Sequence, residues 1–149
     1  MVLSQKSQYA VRAVFELAKR EGSGPVTAAQ VAEAQYIPVR FLENILGQLR
    51  QAGIVESIRG KDGGYRLRRR ASQITVGEIV RLMQGPMSAI DCAKADMGPE
   101  CPLRVGCVLL PMWERAHQAM MDVYDATDIR ELVEQEARVN ECEVLNYSI

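Results

Sequence analysis

Pro38-Val39-Arg40-Phe41-Leu42-Glu43-Asn44-Ile45-Leu46-Gly47-Gln48-Leu49-Arg50-Gln51, followed by Ile54-Val55-Glu56-Ser57-Ile58-Arg59-Gly60-Lys61-Asp62-Gly63-Gly64-Tyr65-Arg66-Leu67-Arg68, is the stretch on which the fold turns. In its first half Leu42, Ile45, Leu46 and Leu49 recur at helical spacing and form one apolar stripe. Arg40, Asn44 and Gln51 lie opposite, with Glu43 on the flank. Pro38 suits the first turn of such a helix, and Gly53 ends it. In its second half two strands, Ile54 to Ile58 and Tyr65 to Arg68, flank the turn Gly60-Lys61-Asp62-Gly63-Gly64.

Upstream, Tyr9, Ala10, Ala13, Val14, Leu17 and Ala18 keep helical spacing, which predicts a helix from Ser4 to Arg20. Gly22-Ser23-Gly24-Pro25 ends it. Thr27-Ala28-Ala29-Gln30 has the form of a capping box and opens a short helix to about Ala34. Helix, helix, helix and hairpin in this order predict a mainly α fold with a small β-hairpin wing, a winged helix-turn-helix. In such a fold the third helix presents polar side chains to the major groove while its other face stays packed. Arg40 can donate two bonds to guanine, and Glu43 can accept from cytosine N4. Arg59, Lys61, Arg66, Arg68, Arg69 and Arg70 supply six cations within twelve residues for phosphate contact.

Downstream, Thr75-Val76-Gly77-Glu78 is a second capping-box pattern, opening a helix that ends near Gly85-Pro86. Residues 86–107 show no period, and a structureless stretch of that length is usually functional. From Val108 onward Leu109, Met112, Trp113, Ala116, Ala119, Met120 and Val123 form an apolar stripe over roughly 18 residues, or about 27 Å of helix. So small a wing domain leaves that stripe uncovered, which predicts a homodimer through this long helix with Trp113 in its seam. Thr127-Asp128 caps a shorter helix to about Ala137, and residues 138–149 are expected to dock as an extended tail. The expected division is a DNA-binding domain at 1–85, a cysteine loop at 86–107, and a dimerisation helix with its tail at 108–149.

Charge divides the same way. Residues 1–80 hold 12 basic and 7 acidic side chains, net +5; residues 81–149 hold 6 and 12, net −6. The basic half can meet phosphate and the acidic half cannot easily do so. No apolar run approaches the roughly 18 residues of a membrane helix, and the start lacks the apolar core of a signal peptide. A cytoplasmic chain follows as the expectation, and there cysteines lean toward metal or redox chemistry.

Cys92-x8-Cys101-x5-Cys107 is the candidate for that chemistry. Thiolates are soft ligands that suit iron–sulfur clusters or zinc. Zinc sites usually pair close cysteines and add histidine, which these spacings do not. Inert or disulfide-switching thiols are the remaining alternative. The single histidine, His117, lies just off the stripe of the long helix and reads as a surface or interface residue; Cys142 reads as a spectator thiol. One histidine gives no base–nucleophile pair, and no phosphate-cradling glycine motif is visible, so no enzyme is expected. A small iron–sulfur electron carrier would not need the basic wing.

Leu3-Ser4, Tyr9-Ala10-Val11, Phe41-Leu42-Glu43, Leu49 to Val55, Ser57-Ile58-Arg59-Gly60 with Gly63-Gly64-Tyr65, and Ile74 to Ile79 together resemble the Rrf-two (Rrf2) family of bacterial winged helix-turn-helix regulators. The resemblance covers almost the whole chain. The three cysteines place it with the cluster-binding branch. It implies a homodimer on double-stranded pseudo-palindromic promoter DNA, and DNA contacts from Pro38, Arg40, Phe41, Glu43, Asn44, Arg59, Gly60 and Lys61. It also implies an iron–sulfur cofactor on Cys92, Cys101 and Cys107. Some members place a histidine three residues after the third cysteine, where this chain has Leu110; others use a carboxylate at position eight of the partner, where it has Gln8. The fourth-ligand candidates are therefore Gln8 of the partner subunit, Asp96, Glu100, Cys142, or an exogenous thiol or water. An open fourth position favours a 4Fe–4S over a 2Fe–2S cluster. The function expected is a cluster-dependent repressor sensing iron, redox state or nitric oxide. The alternative is a cluster-free member that regulates cysteine or sulfur metabolism through thiols or a partner.

Overall fold

The computed structural model describes residues 3–85 and 106–146, the side chains of 142–146 excepted. Cys92, Cys101, Asp96 and Glu100 lie outside the described residues, as does the side chain of Cys142. Six helices and one hairpin follow in the order α1 (Gln5–Lys19), α2 (Ala28–Gln35), α3 (Val39–Gln51), β1 (Val55–Ile58), β2 (Gly64–Leu67), α4 (Val76–Gln84), α5 (Leu110–Ala126) and α6 (Ile129–Asn146). The chain is a winged helix-turn-helix followed by three further helices, and the winged helix-turn-helix is as expected.

Caps set the helix starts. Ser4 Oγ accepts from Ser7 N at 3.1 Å and opens α1. Thr27 and Gln30 complete a reciprocal capping box at α2. The pattern at Thr75 closes on one side only: Thr75 Oγ1 accepts from Glu78 N at 3.2 Å, but the Glu78 carboxylate is taken by Arg69. Pro38 is the N-cap of α3, one residue before the expected first turn.

The core sits between α1, α2, α3 and α4. Leu42, Ile45, Leu46 and Leu49 are at most 1% exposed. They meet Ala10, Ala13, Val14 and Leu17 of α1, Val31 of α2 and Ile79 of α4 in one apolar cluster. Burying each such side chain contributes about 1.5–3 kcal/mol relative to leaving it in water. The hairpin registers Val55 against Leu67 and Ile58 against Gly64. A backbone bridge adds Val26 to the outer side of β2, with Val26 N donating to Tyr65 O and Tyr65 N to Val26 O, both at 2.8 Å. A Cβ on Gly64 would drive into the Val26 carbonyl, so this approach requires glycine.

The C-terminal helices return to this core. Ile129 is fully buried in the cluster, and its N–H donates to Ile74 O at 3.0 Å. Lys19 of α1 pairs with Glu136 of α6 at 2.7 Å. The last helix continues to Asn146 rather than ending near Ala137, so most of the expected extended tail is helical. Arg130–Glu134 and Gln135–Glu131 contacts at i,i+4 spacing support it. A 3-10 turn at Ala71–Gln73, not expected from the sequence, joins the wing to α4.

Arg81 of α4 grips Asp125 of α5 with two bonds, at 3.0 and 2.7 Å. The hydrogen bonds from Arg81 hold the Asp125 carboxyl below its ordinary 3.8. The pair is nearly half exposed and therefore contributes at most about 1 kcal/mol. Because the folded value is depressed, this contribution is present above 3.8 and lost as pH falls through the lower folded value. Asp125→Asn is therefore expected to melt lower than wild type at neutral pH, with the gap closing in acid. A Cβ at Gly77 would collide with the Asp125 carboxylate. Gly77→Ala should remove the same pH-dependent increment; melts across pH in which it keeps the full wild-type dependence would contradict this account of the joint.

Candidate nucleic-acid interface

The packing of the apolar stripe of α3 turns its other side outward. Pro38, Arg40, Phe41, Glu43 and Asn44 are all exposed. Arg40 and Glu43 make no hydrogen bond or ion pair to any of the described residues. The Asn44 carbonyl accepts from Gln48 Nε2 at 2.6 Å, which leaves its NH2 as a donor. Phe41 is 42% exposed and meets Tyr9 edge to face, ring centroids 5.7 Å apart. A concavity of about 530 Å³ opens at this end of α3, lined by Lys6, Pro38, Arg40, Phe41, Asn44 and Ile45. Lys6 was missed from the sequence; its signal was the i,i+3 spacing to Tyr9, which puts both on the face of α1 nearest Phe41.

The wing carries less free charge than its sequence suggests. Arg66 pairs across the hairpin with Glu56 at 2.6 Å, and Arg69 is held by Glu78. Arg59, Lys61, Arg68 and Arg70 are exposed and unpaired among the described residues. Gly60 takes φ 117, a conformation that favours glycine, and a Cβ on Gly63 would strike the Ile58 carbonyl. The glycines thus fold the tip tightly, and Arg59 and Lys61 flank Gly60 there. The polar end of α3 presents donors and acceptors of the kind that can bond base edges, and the wing tip presents cations of the kind that can pair with phosphate.

Of the cysteine set, Cys107 is described: a free, half-buried thiol just before α5. Cys92 and Cys101 lie outside the described residues, and among the described residues no group of three His, Cys, Asp or Glu side chains could hold a metal ion. A free thiol at Cys107 has the donor chemistry an iron–sulfur site requires. Gln8 is exposed, and its Nε2 donates to Leu3 O at 3.0 Å, which leaves its carbonyl oxygen uncommitted. His117 is half-buried with no partner for Nδ1 among the described residues. Val108 and Leu109 just before α5, and Met112, Trp113 and Val123 on it, are 40–85% exposed, and Met121 is the buried residue of that helix. Among the described residues no helix is long and apolar enough to cross a membrane.

Comparison with known proteins agrees with this architecture. The Rrf2 profile, described as an iron-dependent transcriptional regulator, matches residues 3–135. The chain is 33% identical over 142 residues to the HTH-type transcriptional regulator CymR of Bacillus subtilis, covering 92% of this chain and 96% of that one. It is 38% identical over 114 residues to the HTH-type transcriptional regulator IscR of Photobacterium profundum, covering 76% of this chain and 64% of that one. The solved structure of CymR, the global cysteine regulator of B. subtilis, matches with a TM-score of 0.75 at 32% identity, over 91% of this chain and 98% of that one. T. potens IscR matches with a TM-score of 0.74 at 32% identity, over 91% and 88%. By profile, sequence and fold alike, the chain belongs to the Rrf2 family of transcriptional regulators.

Proposed function

We propose that this chain is a homodimeric repressor of pseudo-palindromic promoter DNA whose affinity is set by an iron–sulfur cluster on Cys92, Cys101 and Cys107. The observation that carries the DNA-binding part is the outward face of α3: Arg40, Glu43 and Asn44 stand exposed there, and the wing tip adds Arg59 and Lys61, exposed and unpaired among the described residues. On this reading residues 1–85 read DNA, 86–107 carry the ligands, and 108–149 join the two subunits through the apolar face of α5. Two α3 helices would then reach successive major-groove turns, roughly 34 Å apart.

The roles of these side chains separate experimentally. Arg40→Ala should cost about 1–3 kcal/mol of binding at one base position. Its melting temperature should barely change, because Arg40 is exposed and unpaired among the described residues. Lys61→Ala should weaken every sequence alike and reduce the salt slope by about one unit. Anisotropy titrations on duplexes selected from a randomised pool read both; a Lys61→Ala protein that loses specificity at a single position with an unchanged slope would overturn the assignment.

For the cofactor, Cys107 supplies a described free thiol, and the other two cysteines complete the set by sequence. Leu110 and Gln8 stand where the family resemblance places a histidine or a carboxylate, which favours 4Fe–4S with a fourth position filled by Gln8 of the partner subunit or an exogenous ligand. A cluster, when bound, supplies ligation that responds to iron supply, oxidants or nitric oxide. The chain's own contribution is to hold those thiolates between α4 and α5. Anaerobically purified protein is expected to absorb in the visible, Cys101→Ala to lose that absorption, and Cys142→Ala to keep it. Full colour in Cys101→Ala would refute the ligand set.

A second reading is favoured by the likeness to CymR, named as a global cysteine regulator: cluster-free control through thiols or a partner protein. Colourless anaerobic protein whose DNA affinity changes on thiol oxidation would select that reading over the first.

A further inference from the structure

The turn between α2 and α3 contains a residue that its own subunit does not explain. Tyr36 caps α2 in the left-handed region, φ 52 and ψ 47, and is the non-glycine residue with positive φ among the described residues. Ile37 N donates to Ala32 O at 2.9 Å, a five-residue return that places Tyr36 where helix ends prefer glycine. A side chain there strains the backbone. Burial does not offset that strain, since Tyr36 is 88% exposed, and its hydroxyl has no partner among the described residues.

The conformation is imposed from both sides. Ile37, 4% exposed, is anchored in the core. Gln35 Nε2 donates to Oε2 of the buried Glu16 at 2.9 Å, and Arg12 donates to both the Gln35 carbonyl and its Oε1. A glycine at position 36 would satisfy this turn with less strain. The tyrosine ring instead projects into solvent two residues before Pro38, at the entry to the exposed end of α3. In a helix-turn-helix the start of the second helix meets base edges. The turn before it therefore comes up against the sugar–phosphate backbone. Strain held rigidly in place beside a binding face points outward to function.

We infer that Tyr36 is a DNA-contacting residue, its ring packed on the sugar–phosphate backbone at the groove edge and its hydroxyl donating to a phosphate oxygen. This rests on the proposed DNA-reading role of α3. Tyrosine is among the side chains that bond phosphate oxygens. Being uncharged, it releases no counterion of its own, so it adds affinity without adding to the salt dependence.

The test compares wild type, Tyr36→Gly and Tyr36→Phe on a fluorescein-labelled duplex that wild type selects from a randomised pool, and on an unselected duplex of equal length. Tyr36→Gly should melt higher, by about 3 °C, as the left-handed strain is relieved. It should bind both duplexes roughly tenfold more weakly, with an unchanged salt slope and an unchanged oligomeric state by light scattering. Tyr36→Phe should fall between the two in affinity. A Tyr36→Gly protein that binds as tightly as wild type, melts lower, or dissociates into monomers overturns the inference. If wild type selects no duplex, the DNA-reading proposal itself falls, and this one with it; selection by wild type with equal Tyr36→Gly binding removes the Tyr36 contact alone.

Discussion

The molecule depends on the burial of four side chains on one face of one helix. Leu42, Ile45, Leu46 and Leu49 lock α3 against α1 and its neighbours. Truncating any of them to alanine would be expected to cost about 2–5 kcal/mol, a large share of the 5–15 kcal/mol that holds a typical domain folded. An α-helix advances 100° per residue. The stripe therefore fixes the rotation of the helix, and with it the direction of Arg40, Glu43 and Asn44. A rotation by one residue would carry charged groups toward the core, where an unpaired charge is far more costly than a lost methylene. The specificity of the polar face is thus enforced by the apolar one.

From that helix outward the joints differ in kind. The wing is tied by backbone bonds to Val26 and by the buried Ile54 and Val55. α6 is tied by Ile129 and the Lys19–Glu136 pair. α5 is held to α4 by the exposed Arg81–Asp125 pair, which salt screens and acid removes. Residues 86–107 connect these last two helices. On the proposed reading, a change of ligation there would act on the joint between α4 and α5, and through it on the spacing of two DNA readers across the dimer.

Sequence carried the local structure well. The α1–α3 helices, the hairpin and the Thr27 capping box follow from spacing and caps within a few residues of one another, and the structure repeats them to within a residue or two. It failed where a distant partner decides the outcome. The Thr75 box is half-made because Glu78 is drawn to Arg69. Six wing cations are reduced by the Arg66–Glu56 and Arg69–Glu78 pairs, neither legible from a count of charge. The bridge from Val26 to Tyr65 joins residues 39 apart in sequence and has no periodic signature. The continuation of α6 to Asn146 was missed because the apolar residues Val144, Leu145, Tyr147 and Ile149 read as a docking tail. Tyr36 was invisible for another reason: only a dihedral angle and an exposure distinguish it from any other loop aromatic.

The central claim is that two copies of the α3 face read duplex DNA. Hydroxyl-radical footprinting combined with guanine-N7 methylation interference, on a duplex selected by the wild-type protein, tests it most directly. The account predicts two symmetric protected stretches on one face of the duplex, centred roughly 34 Å apart, each containing a guanine whose methylation blocks binding. A single unsymmetric stretch, or protection indifferent to guanine-N7 methylation, would contradict it and leave the wing as a sequence-blind cation patch.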